Sequence, residues 1–146
     1  MIRMFVIFSA LLLSTAGIIG METEVAYADS ILIETAGEEG KISVNSFLKL
    51  MREGKDSVYW IDNRDSSEIN ADGTFANTKA MTVRDLKKEI ANLPIDKPII
   101  FFCSTGARAG EAYDLVRLKR PELQVYFLDA SVEFRKQTIP TISPPK

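Results

Sequence analysis

The chain has 146 residues, of which 46% are hydrophobic and 26% charged, enough apolar material for one packed domain and too little length for two, so global disorder is excluded. Its formal net charge of -2, its pI near 5.3 and the lack of any run of Lys or Arg exclude a broad nucleic-acid-binding face. One cysteine and no histidine exclude an internal disulfide, a zinc site of the usual kind, and any Ser-His-Asp or Cys-His scheme.

Residues 1–28 read as a signal peptide. Arg3 gives the positive start, Phe5 to Gly20 is uncharged and almost wholly apolar, and Ala26-Tyr27-Ala28 matches the small-x-small cleavage rule. The apolar stretch is shorter than the ~20 residues that a permanent membrane helix needs. Cleavage after Ala28 is therefore expected, giving an exported, periplasmic protein with no permanent membrane span; an uncleaved anchor is the alternative.

Residues 29–40 form a short lead-in, and Lys41-Ile42-Ser43 a short strand. Asn45 or Ser46 is the expected cap of a helix with Phe47, Leu48, Leu50 and Met51 on one stripe, ending at Gly54. The aromatic and β-branched run Ser57 to Ile61 predicts a buried strand that delivers Asp62-Asn63-Arg64 at its carboxyl end. Residues 65–79 look irregular, with a turn at Asp72-Gly73. Thr82 then caps a helix running to about Asn92, with Val83, Leu86, Ile90 and Leu93 inward and Pro94 closing it.

The continuous apolar run from Pro98 to Phe102 predicts a central parallel strand, followed directly by Cys103. A helix is expected from about Ala107 to Lys119, with Ala109, Ala112, Leu115 and Val116 inward. Val125 to Leu128 reads as a further strand, and residues 135–146 as a flexible tail. Strands alternating with helices define an α/β domain over residues 41–134 with a mainly parallel sheet.

The segment from Ile99 to Gly110 joins a hydrophobic strand, a turn of small residues and a helix start. In open α/β sheets ligands bind beyond the carboxyl ends of the strands, where Cys103 falls. The amides of Ser104, Thr105, Gly106, Ala107 and Arg108 have no partners within their own helix and can curl around an anion or around the sulfur. Such a nest, with the helix dipole and Arg108, is expected to favour thiolate over thiol, so that no separate base is required. A lone cysteine at a strand end is also compatible with simple core packing. Solvated charge is likewise an ordinary reading of Asp62 and Arg64.

The loop Cys103-Ser104-Thr105-Gly106-Ala107-Arg108 resembles the active-site loop of rhodanese-like sulfurtransferases. Asp62-Asn63-Arg64 resembles that family's Asp-x-Arg element, and Leu128-Asp129 the end of its last strand. The resemblance implies a three-layer α/β fold with a mainly parallel sheet of about five strands flanked by helices. It also implies transfer of sulfane sulfur from a small anion such as thiosulfate to Cys103, and then to cyanide or a thiol. The persulfide on Cys103 is the only covalent intermediate, no separate cofactor is implied, and no protein partner is indicated. Asp62 and Arg64 are expected to brace the site, and Ser104 and Thr105 to help hold an anionic donor.

Related cysteine phosphatases and arsenate reductases place five residues between Cys and Arg, whereas this chain has four and carries Ala109 where the longer loop needs Arg. The family's Gly-His-Ile-x-Gly-Ala segment is represented only in outline, by Gly73 to Ala80. A binding or sensing module without turnover, and an arsenate or phosphate enzyme, are the competing functions.

Overall fold

The structure is a computed structural model that describes residues 32–75, 77–136 and 139–145. The expected signal peptide lies outside the described residues. In chain order the elements are α1 (Val44–Glu53), β1 (Tyr59–Asp62), α2 (Ser66–Asp72), β2 (Thr78–Ala80), α3 (Val83–Glu89) with a 3-10 turn at Ile90–Asn92, β3 (Ile99–Phe102), α4 (Ala107–Lys119), β4 (Val125–Phe127), β5 (Ser131–Glu133) and β6 (Thr141–Ser143).

Four strands form one parallel sheet in the order β2-β1-β3-β4, so β3 is central and its four residues Ile99 to Phe102 are all buried. That is why the sequence there is continuously apolar: helices cover both faces. Alternate side chains sort to the two faces. Ile61, Ile99, Phe101 and Val125 pack with Leu86 of α3 and Ala109, Ala112 and Val116 of α4. Trp60, Ile100 and Phe102 pack with Phe47 and Leu50 of α1. Edge-to-face contacts of Phe47 with Trp60 and Phe102, at centroid distances of 5.2 and 5.9 Å, hold the second layer together. The result is the three-layer α/β arrangement expected from the sequence.

The expected fifth strand is reduced to a bridge. Lys41 pairs in parallel with Phe127, the Ile42 amide donating to the Phe127 carbonyl at 2.9 Å. The other differences are local. Helix α1 is capped by Ser43 rather than Asn45 or Ser46, the Ser43 hydroxyl accepting from the Ser46 amide at 3.1 Å. Thr82 does cap α3, accepting from the Asp85 amide at 3.2 Å. On α4 the side chain fully inward beside Ala112 and Val116 is Tyr113, while Leu115 is only partly covered.

Two segments carry more structure than their sequence suggests. Residues 65–79, read as irregular, contain α2 and the start of the edge strand β2. Helix α2 buries none of its residues and so has no apolar period to reveal it; its Asp65 and Glu68 form a capping pair, the Asp65 amide donating to Glu68 Oε2 at 3.1 Å. Within the stretch read as a tail, Thr141–Ser143 pairs antiparallel with Ser131–Glu133, and Ile142 packs against the α1-side core.

Candidate functional site

Parallel strands deliver their carboxyl ends to one edge of the sheet, and β1 and β3 are in register there, with Asp62 opposite Phe102. The residues that follow, Asn63-Arg64 and Cys103 to Arg108, therefore meet. Cys103 is 1% exposed, and its Sγ accepts a hydrogen bond from the Gly106 amide at 3.2 Å. Gly106 stands at the head of α4 with φ +90°, and a Cβ there would lie 2.7 Å from Asp129 Oδ1 and 2.9 Å from Asp129 Cα. Only glycine supplies both the left-handed angle and the space. The Ser104 carbonyl accepts from the Val132 amide at 2.8 Å, which ties the loop to β5, and Thr105 and Ala107 sit exposed at its rim.

Arg108 is held by a residue the sequence reading did not single out. Its two terminal nitrogens donate to Glu68 Oε2 at 2.5 Å and Oε1 at 2.9 Å, and one of them also donates to Ser104 Oγ at 2.8 Å. The Ser104 hydroxyl in turn donates to Glu68 Oε1 at 3.1 Å. Glu68, Arg108 and Ser104 thus close a ring, with Asp65 a further 3.6 Å from Arg108. The Arg108 hydrogen bond holds the Glu68 carboxyl well below its ordinary range, at about 2. The Glu68 carboxylate, with a smaller contribution from Cys103, raises the Arg108 pKa. The signal in the sequence was the Asp65-Ser66-Ser67-Glu68 capping pattern.

Asp62 and Arg64 are both buried, so solvated charge is not their role. Arg64 Nη2 donates to Asp62 Oδ2 at 2.8 Å and to the Gly73 carbonyl at 2.7 Å, and the guanidinium lies 3.4 Å from the centroid of the Phe134 ring. The pair therefore fastens the end of β1 to the α2–β2 connection. Asn63 fastens β1 to its neighbours: its amide donates to the Phe102 carbonyl at 2.8 Å, and its Nδ2 to the Met81 carbonyl at 2.9 Å. A groove of about 340 Å³ opens beside the loop, lined among others by Arg64, Glu68, Ser104 and Phe134. Among the described residues no helix is long and apolar enough to cross a membrane.

This geometry is a buried cysteine at the carboxyl edge of a small parallel sheet, its sulfur held by the amide at the head of α4. A family model for the rhodanese-like domain matches residues 43–134, and the chain belongs to that family. Several solved structures share the fold. The single-domain sulfurtransferase RDL2 of Saccharomyces cerevisiae is 21% identical with a TM-score of 0.53, the match covering 66% of this chain and 88% of that one. A protein of unknown function from Rhodopseudomonas palustris, described as a possible tyrosine phosphatase, is 23% identical with a TM-score of 0.50, covering 58% and 70%. At these identities the likeness is one of fold. No curated protein sequence matches the chain.

Proposed function

We propose that this chain is a sulfurtransferase that cycles between thiolate and persulfide at Cys103. The reading is carried by one observation: the Cys103 sulfur, at the end of the central strand, accepts the Gly106 amide at the head of α4 while Arg108 of the same loop faces the groove partner Glu68. Membership of the rhodanese-like family supports it. The Cys103 thiolate attacks the outer sulfur of a donor such as thiosulfate, the S–S bond breaks, and its electron pair leaves with sulfite. Cyanide or a thiol then attacks the outer sulfur of the persulfide and returns the thiolate. No net oxidation occurs. The protein is exported, and residues 1–28 are its signal.

Incubation with a sulfane-sulfur donor is expected to add one sulfur atom to the intact protein by mass spectrometry, and a Cys103→Ser variant none. Equal gain in both would defeat the assignment. Cyanide-dependent release of thiocyanate separates turnover from a module that captures sulfur without passing it on. Phosphatase or arsenate reductase activity lost on changing Cys103 would replace the reading altogether.

A further inference from the structure

We infer that Glu68 determines which sulfur donors the site accepts, by holding a carboxylate where an oxyanionic donor would seat. The inference rests on the sulfurtransferase reading and deepens it. Arg108 and the Ser104 hydroxyl are the loop side chains suited to an incoming oxyanion, and Glu68 already engages both, through Oε2 to Nη1 at 2.5 Å, Oε1 to Nη2 at 2.9 Å and Oε1 to Ser104 Oγ at 3.1 Å. A carboxylate fits a guanidinium with two parallel bonds, the same fork that would grip a sulfonate-like group, so donor and Glu68 compete for one seat.

The rest of the groove does not offset this charge. Its Arg64 is bound to Asp62 and to the Gly73 carbonyl, its Arg135 lies 3.6 Å from Glu133, and Asp72 adds another carboxylate to the lining. A divalent donor such as thiosulfate meets like charge at close range. A donor whose transferable sulfur rides on an uncharged carrier bears at most one negative charge and meets less of it. The favoured class is therefore the thiol persulfide. The Cys103 thiolate attacks the outer sulfur of R–S–SH, forming Cys103–S–SH while the donor S–S bond breaks and its electron pair leaves with R–S⁻; no oxidant or reductant is consumed.

The test is single-turnover loading of Cys103, followed by intact mass, with thiosulfate and with the persulfide of 2-mercaptoethanol. Glu68→Gln removes the charge and retains a side-chain oxygen for the Asp65 amide, since Glu and Gln both serve in a capping box. The wild type is expected to load faster from the persulfide. E68Q is expected to raise the ratio of thiosulfate to persulfide loading about tenfold over wild type, the scale of one removed like charge at short range. Equal changes for both donors, or a lower ratio in E68Q, would overturn the role of Glu68 and leave sulfur transfer standing. No loading of either protein by either donor would overturn both. Should E68Q fail to fold, the wild type decides alone: raising ionic strength from about 0.01 M to about 1 M shortens the screening length from ~30 to ~3 Å and should speed thiosulfate loading more than persulfide loading. Equal salt responses would reject the inference.

Discussion

Gly106 is the position where a single methyl group should test the loop most directly. A Gly106→Ala change asks an L-residue to hold φ +90°, which costs about 1–2 kcal/mol in the left-handed region. The new Cβ would also stand 2.9 Å from Asp129 Cα and 3.2 Å from the Ala130 amide nitrogen, backbone atoms that give way only if the β4–β5 connection moves. Overpacking of this kind adds about 1–3 kcal/mol. The total, about 2–5 kcal/mol, corresponds for a domain near this size to a fall in Tm of roughly 8 °C or more. Relief by outward movement of the loop would draw the Gly106 amide away from Cys103 Sγ, where it now donates at 3.2 Å. Urea denaturation measures the first effect, and the rate of Cys103 alkylation by iodoacetamide at fixed pH the second. A loss below about 0.5 kcal/mol, with alkylation unchanged, would refute the claim that this loop is shaped around glycine.

Three further outcomes follow from the same geometry. Arg64→Ala leaves Asp62 buried without its partner and is expected to cost about 3–5 kcal/mol by denaturation, whereas a double change to Asp62→Leu and Arg64→Met should recover part of that loss; a cost under about 1 kcal/mol would show that the pair braces nothing. The Glu68 carboxyl is held at about 2 in the fold against an ordinary 4.5, so its stabilising contribution is fully present above pH 4.5 and is lost as pH falls from there toward 2. Glu68→Gln should therefore flatten the acid limb of stability between pH 5 and pH 2, about the window those two values bound, and an unaltered limb would contradict the ion pair. N-terminal sequencing of the protein recovered from its native host is expected to begin at Asp29, after cleavage behind Ala28; recovery with Met1 intact would refute cleavage and favour the uncleaved anchor.

Features encoded within one contiguous stretch were legible in the sequence. Ile99 to Phe102 reads as a central strand because both of its faces are covered, and the six residues after it carry the cysteine, the turn glycine and the arginine in order. Thr82 announces α3 because its hydroxyl needs only the amide three residues on. Elements without an apolar period of their own were not legible. Helix α2 buries nothing, so it lacks the period that marks a helix, and β6 exists through its pairing with β5 and the seating of Ile142 on the core.

The same division runs through the site. Local order of residues determined where along the chain the candidate sulfur sits, because a strand end, a tight turn and a helix start are adjacent in sequence. Tertiary structure alone decided the charge around that atom: Glu68 reaches Arg108 across 40 residues, and Asp62 with Arg64 is buried by the Gly73 carbonyl and the Phe134 ring. Charges written side by side look solvated until folding shows what covers them, since electrostatic strength depends on separation and burial, neither of which is a property of sequence order.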